Sequence, residues 1–361
     1  MSGAATSGAG TSGDWVRAFA PASVSNVACG FDVLGFALDG LWLGNEAAGP
    51  PGDMVEARLS EEPGVHIEAI SGAPGVESLP VEAARNTAGR AASAMLDRYA
   101  SLSPSATRGL GIALRITKCM PLRSGLGSSA ASAVAAAVAV NELLGARLGT
   151  PLTRRHVLAC ALEGERIASG SLHADNVAPA LFGGFVLVRA LTPEVDVVRL
   201  VPPSELYCAI VRPHLEVDTQ EARRGLPERV PLRDAVRQWA NVGALVAALH
   251  SLDFELLGRA LEDRIAEPYR SGAVPGFATA MAAARVAGAL GGSLSGSGPS
   301  LFALVRGEAV AMRVASAMAD GLALQGVQSD RLVSRLRARG ARVLRDGSED
   351  HANAPAGTPG A

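Results

Sequence analysis

Apolar and polar positions along the chain fall into short alternating runs and longer helical stretches, and these mark the elements in turn. Residues 15–21 read as a strand stopped by proline, and residues 22–30 as a turn of small residues. Residues 31–38 form an apolar segment carrying one acid, Asp32. Residues 54–59 and 65–70 alternate with the period of strands, and 111–118 is a further strand. Helical spacing covers 86–99 and an alanine-rich run from about 130 to 144, which Gly145 is placed to stop. A helix over 153–167, capped by Thr153, leads through a polar loop, 169–176, to a strand at 185–189. Prolines and charges break the pattern between 192 and 203. Beyond them come a strand at 206–211, helices over 232–257 and 275–288, a glycine-serine turn at 291–299 and a strand at 300–305. A helix over 308–320, stopped by Gly321, and a last strand near 342–344 complete the chain. Strands interleaved with helices in both halves predict an α+β fold, with domains over 14–195 and 196–345. The small-residue segments 1–13 and 346–361 read as disordered tails.

Composition narrows the function classes. A length of 361 residues suits two domains, and 48% apolar with 19% charged residues describes a globular chain. A net charge of −2 offers no basic excess for nucleic acid, and 4% aromatic residues offer few stacking platforms. Cys29, Cys119, Cys160 and Cys208 lie too far apart in sequence for a metal-type pair, so a reducing cytoplasm is expected. The longest apolar run, 133–140, is too short to span a membrane, so no membrane partner is expected.

The chemistry is concentrated in residues 121–130, a glycine-serine loop running directly into the alanine helix. Gly125 and Gly127 permit close approach and positive φ, and Ser124, Ser128 and Ser129 add hydroxyls. A helix start supplies free N–H groups and the positive end of the helix dipole, the arrangement that holds phosphate. No Gly-Lys-Ser/Thr closes the loop, so it is not a Walker loop. Two further Gly/Ser-rich loops, 22–30 and 291–300, predict a shared ligand cleft.

PLRSGLGSSAAS, APASVSNVACGFDVLGFAL and GGSLSGSGPSLFAL together resemble the three motifs of the GHMP kinase superfamily. HADNVAPALFGG, EARRGLP and EPYRSGAVPGF resemble stretches of the branch that acts on L-homoserine. The resemblance spans residues 16–305. It departs at Val27-Ala28-Cys29-Gly30, where that branch often reads Leu-Gly-Pro-Gly. It implies a two-domain GHMP kinase fold with the active site in the inter-domain cleft, and ATP-dependent phosphorylation of the homoserine hydroxyl on the route to threonine. It also implies a homodimer. Another kinase of the superfamily, of the mevalonate-pathway type, and a non-catalytic ligand sensor are the alternative readings.

The resemblance places ATP against Pro121, Leu122, Arg123, Ser124, Gly125, Leu126, Gly127, Ser128, Ser129 and Ala130, with Asn86 and Thr87 on the adenine side. Mg²⁺ takes hard oxygens. Ser129 and Glu165 are its candidates by residue type and by family pattern, with Ser128 and Glu163 as rivals. A zwitterionic substrate needs a cation and an anion: Arg223 and Arg270 match the family's substrate arginines, with Arg224 beside them. Asp32 is the natural ammonium partner, and Asn26 can bond either group. The resemblance adds Thr219 and Gly170 to the substrate site. By type, Asp175 or His173 is the general base. By resemblance there is none, and His173, Asn176 and Arg270 orient and stabilise the reacting groups.

Overall fold

The computed structural model describes residues 15–44, 49–169 and 173–345. The two predicted tails and Gly170 lie outside the described residues. The chain begins with β1 (Val16–Pro21), β2 (Ser23–Ser25), β3 (Leu34–Ala37), β4 (Asp39–Leu43), β5 (Gly52–Ser60) and β6 (Gly64–Gly72). Helices α1 (Thr87–Leu102) and α2 (Pro104–Thr107), strand β7 (Gly111–Lys118), and helices α3 (Ser128–Leu148), α4 (Arg154–Ser169) and α5 (Ala174–Phe182) follow. Next come β8 (Phe185–Ala190), β9 (Asp196–Leu200) and β10 (Leu206–Pro213). Helices α6 (Thr219–Arg224), α7 (Leu232–Ser251), α8 (Phe254–Ala260), α9 (Glu267–Arg270) and α10 (Phe277–Val286) lead to β11 (Gly291–Leu294) and β12 (Leu301–Arg306). Helix α11 (Glu308–Ala323), β13 (Ser329–Arg335) and β14 (Arg342–Leu344) end the described chain.

These strands make three sheets, ordered β14-β1-β5-β7-β6, β11-β12-β10-β13-β4 and β2-β3-β8-β9. Helix α3 lies across β1 and β5, with α1 and α4 packed against it. Its alanines have a geometric purpose: a Cβ on Gly164 of α4 would lie 3.1 Å from both Ala133 and Ala91 and 2.4 Å from the Thr87 carbonyl. Small residues at this three-helix crossing let the backbones approach closely. The length and composition of α3 would suffice to cross a membrane, but 67% of its apolar window is buried in the protein. A second, separate core around Val211, Met281, Val305, Val314 and Met318 joins α10 and α11 to the second sheet.

The predicted division at 195/196 does not follow the sheets. Strand β9 pairs with β8 in the third sheet, so that sheet runs on through Leu200. Strand β4, from the first forty-odd residues, pairs with β13 in the second sheet, and β14 returns to pair with β1. Two glycines expected to stop helices lie inside them. Gly145 stands where a Cβ would meet Pro151 at 2.8 Å, and Gly321 where it would meet the Ala280 Cα at 2.7 Å. The expected helix over 232–257 is two helices, broken where Leu252 turns left-handed (φ +61°) and Asp253 caps α8. The expected loop at 169–176 is instead helical at both ends: α4 runs to Ser169, and Ala174, Asp175 and Asn176 are the first turn of α5.

The packing of α11 on α10 therefore needs a bare Cα at Gly321. We expect Gly321→Ala to lower unfolding stability by about 1–3 kcal/mol through overpacking. An exposed helix glycine would instead be stabilised by about 1 kcal/mol on the same change. Chemical denaturation reads the sign, and a stabilised variant would refute the close contact.

Candidate active site

The loop between β7 and α3 keeps its shape through two glycines. Gly125 (φ +75°) and Gly127 (φ +68°) are both left-handed. A Cβ on Gly125 would lie 2.5 Å from the Gly298 carbonyl, and one on Gly127 would lie 2.3 Å from Ser23 Oγ and 2.9 Å from Asn176 Oδ1. The C-terminal motif clamps the loop from above: Ser295 Oγ donates to the Gly125 carbonyl at 2.6 Å and Ser300 Oγ to the Ser124 carbonyl at 2.6 Å. Helix α3 starts with Gly127 as its N-cap and has no side-chain cap, the kind of helix start that can hold an anion. Pro121, Leu122, Arg123, Ser124, Gly125, Gly127, Ser128 and Ser129 line a cleft of about 1130 Å³. Leu126 and Ala130, expected at the nucleotide, are fully buried and do not line it.

Below the loop lies a charged network that sequence reasoning missed. Asp53 and Lys118 face each other across β5 and β7, both buried. The Lys118 ammonium donates to the Asp53 carboxylate, to Ser132 Oγ at 2.7 Å and to the Ser128 carbonyl at 3.0 Å. Asp53 also accepts from Ser132 Oγ (2.7 Å), Ser128 Oγ (3.2 Å) and the Cys119 N–H (3.2 Å). The Ser128 hydroxyl is thus engaged beneath the loop, whereas Ser129 Oγ donates to Glu165 Oε1 at 3.0 Å. Glu165 is buried and lines the cleft, and burial pushes its carboxyl up to about 7. Its rival Glu163 is half exposed and faces Arg166 and Arg90 instead.

The opposite end of the cleft is built on an unusual backbone. Asn26, Val27 and Ala28 have φ of +67°, +44° and +57°, and Asp32 has +60°. Each such turn costs roughly 1–2 kcal/mol for a residue with a Cβ, Asn and Asp least. Asn26 is held on three sides: its Oδ1 accepts from the Asp32 N–H (3.1 Å), its Nδ2 donates to the Gly296 carbonyl (3.0 Å), and its N–H donates to Asp175 Oδ2 (3.3 Å). Arg223 forks onto Asp32, Nη1 to Oδ1 at 2.9 Å and Nη2 to Oδ2 at 2.5 Å, and its Nη1 lies 3.5 Å from His173 Nε2. Arg270 is buried, donates to the Gly296 carbonyl at 3.1 Å, and shares the Phe31 ring with Arg223 at 5.3 and 5.4 Å. Arg224 does not line the cleft. Thr219 Oγ1 lies 3.2 Å from Ser297 Oγ, and Asn176 Oδ1 accepts from Ser23 Oγ at 3.0 Å.

The cleft thus joins the glycine loop and Glu165 to Asn26, Asp32, His173, Asp175, Asn176, Thr219, Arg223 and Arg270. Burial lowers the His173 pKa, more than the neighbouring Asp32 restores, which keeps the ring neutral. Asn86 and Thr87 also line the cleft, but the Asn86 side chain caps α1, accepting from the Ala88 N–H at 3.0 Å and donating to the Pro80 carbonyl at 2.9 Å. Arg85 and Arg212 add cations to the cleft wall, and His214 an imidazole, that no motif signalled.

Residues 86–184 match the family model described as GHMP kinases N terminal domain, and residues 245–323 that described as GHMP kinases C terminal. The chain is 44% identical over 337 residues to a homoserine kinase of Chloroherpeton thalassium, covering 91% of this chain and 99% of that one. A homoserine kinase of Xylella fastidiosa is 40% identical, over 91% of this chain and 94% of its own. The solved homoserine kinase of Cytophaga hutchinsonii superposes with a TM-score of 0.82 at 45% identity, over 94% of this chain and 100% of that one. A mevalonate kinase of L. major, at 19% identity and a TM-score of 0.61 over 88% and 95%, shares the fold.

Asp175 gives the site a pH signature. Burial, and then the charge of Asp32, raises its carboxyl from 3.8 to about 7, and its Oδ1 has no hydrogen-bond partner in the protein. Between these values the folded protein keeps a proton at Asp175 that the unfolded chain has released, so the contribution of Asp175 to ligand-free stability falls as pH rises from about 4 through about 7. Asp175→Asn should lessen that slope, leaving the share due to Glu165, and should gain in Tm over the unsubstituted protein as pH rises. Parallel Tm–pH curves would show that Asp175 does not hold the proton.

Proposed function

The chain belongs to the GHMP kinase family, among its homoserine kinases, and from that premise we propose how its residues share the work of the reaction. The protein transfers the γ-phosphoryl group of ATP to the side-chain hydroxyl of L-homoserine, giving ADP and O-phospho-L-homoserine, a step towards threonine. The observation that carries the substrate reading is the meeting of Asp32, Arg223 and Arg270 around Phe31, in the same cleft as the glycine loop. Two guanidiniums suit a carboxylate and one carboxylate suits an ammonium, the two charges of an amino acid. Mevalonate carries no ammonium and leaves Asp32 without a purpose.

The uncapped start of α3 and the backbone of the loop cradle the phosphates. Ser129 and Glu165 would hold Mg²⁺: their oxygens are hard donors 3.0 Å apart at the helix start, and Mg²⁺ takes few protein ligands besides phosphate and water. A metal held by these two oxygens would supply charge neutralisation to the transferring phosphates. Homoserine inserts between Asp32 and Arg223, exchanging their mutual fork for its own ammonium and carboxylate, with Arg270 completing the carboxylate site. Asn176, its carbonyl oxygen fixed by Ser23, aims its amide N–H at the hydroxyl, and neutral His173 stands beside Arg223. Phosphoryl transfer through a loose transition state asks mainly for alignment and charge stabilisation, so no dedicated base is required. Four free thiols support a cytoplasmic location. A homodimer belongs to the same reading, supported by Leu232, Val236 and Trp239 standing exposed on one face of α7.

A panel of homoserine, mevalonate, galactose and serine with Mg-ATP tests the assignment, and turnover should favour homoserine. Losing one partner of a desolvated charge pair costs about 2–5 kcal/mol. Arg270→Ala should therefore lose roughly 30-fold to several-thousand-fold in kcat/KM for homoserine. Arg270→Lys should also be impaired, because an ammonium cannot fork onto a carboxylate. Mevalonate or 4-hydroxybutyrate turned over as well as homoserine would sink the reading. Glu165→Gln should lower kcat far more than it raises KM for homoserine. Near-normal kcat across a Mg²⁺ titration would remove Glu165 from the metal.

A further inference from the structure

Gln238 lies on the buried face of α7, outside the cleft, and none of the sequence motifs contains it. Its amide is nonetheless bonded to both segments that carry the substrate charges. Nε2 donates to the Cys29 carbonyl at 2.7 Å and to Asp263 Oδ1 at 2.9 Å, while Oε1 accepts from the Arg264 N–H at 2.8 Å. The buried Asp263 carboxylate accepts in turn from the N–H groups of Ile265 (2.8 Å), Ala266 (3.1 Å) and Glu267 (2.8 Å), which fixes the start of α9. One turn later α9 delivers Arg270. On the other side, Cys29 follows directly on the left-handed run Asn26-Val27-Ala28 and precedes Phe31 and Asp32.

We infer that Gln238 is a positioning residue for homoserine recognition: it ties the strained turn that presents Asp32 to the helix that presents Arg270, and so sets the distance between the substrate's two charge partners. The inference goes beyond the reaction and rests on the substrate reading above. Side chains with a Cβ hold left-handed backbone only where the surroundings enforce it. At Val27 and Ala28 the side chains are buried and apolar and offer no hydrogen bond of their own, so the bond to the next carbonyl is the polar restraint that suits the task. Ala28 holds its left-handed φ of +57° without the freedom of glycine, so the restraint from α7 carries weight there. The glycine loop is held instead by Ser295 and Ser300, so nucleotide binding should be little affected by the loss of this bracket.

The test compares Gln238→Leu, Ala28→Gly and the double variant, in the full chain, with KM measured separately for homoserine and Mg-ATP. Gln238→Leu should raise KM for homoserine at least tenfold and leave KM for Mg-ATP within about twofold. Gln238→Glu, which keeps the acceptor for Arg264 and loses both donated bonds, should show the same split. Adding Ala28→Gly to Gln238→Leu should bring KM for homoserine most of the way back, because glycine takes the left-handed turn unaided. A core residue with no positioning role would lower Tm and active fraction without separating the two KM values. Equal changes in both, or a failure of glycine to rescue, overturns the inference, as does a Gln238→Leu chain that stays unfolded even with Ala28→Gly. Homoserine turnover by the unsubstituted protein is measured first. Its absence refutes the substrate reading, and the comparison then uses whichever alcohol of the panel is phosphorylated.

Discussion

A single buried ion pair, Asp53 with Lys118, fixes the glycine-loop end of the cleft. The two residues are opposed across neighbouring strands at the point where the sheet gives way to the glycine loop. Their remaining hydrogen-bonding capacity is taken up by Ser128 and Ser132 in the first turns of α3. Removing one member of such a pair costs about 3–5 kcal/mol, because the other is left charged and dry. The sheet, the loop and the helix start therefore keep one relative geometry. The same arrangement divides the neighbouring serines: Ser128 is drawn down to Asp53, which leaves Ser129 to meet Glu165.

The far end of the cleft is held differently. Its charges sit on a left-handed turn and a four-residue helix, neither of which would keep its shape alone. Asn26, Asp175, Gly296, Gln238 and Asp263 supply the missing restraint through bonds that cross long stretches of sequence. Asp32 and Arg223 are already paired, so on the proposed substrate reading the pocket would meet its ligand as an internal zwitterion. A ligand with one charge can satisfy only one member of the pair and strands the other, so discrimination arises from what the pocket would lose.

Much of this was readable from local pattern. The glycine loop, the long alanine helix and most core strands announce themselves through composition and period, and Asp32, Arg223 and Arg270 sit in recognisable motifs, whereas Glu165 lies in none of them. What escaped depends on partners distant in sequence. Gly145 and Gly321 look like helix stops until Pro151 and Ala280 are seen against them. Strand β4, half exposed and glycine-containing, exists because β13 pairs with it nearly three hundred residues later. Asp53 and Lys118 are ordinary strand residues until the register opposes them. The choice between Glu163 and Glu165 turned on which helix face meets the cleft, and the helical phase there was too short a signal to decide it.

The exchange of β4 and β14 between the two sheets bears on how the chain is made. Strand β1 is among the first described residues to leave the ribosome, yet one of its two neighbours, β14, is among the last. Throughout synthesis the first sheet carries an open edge beside β1, a template for unwanted pairing. The second sheet likewise waits with β4 already emerged and β13 still to come. Domains usually form in order as they emerge. Here the interleaving denies the first half that independence, and assembly becomes an event of the finished polypeptide. The cleft can form only with both halves present, so a nascent or truncated chain has no competent site with which to consume ATP.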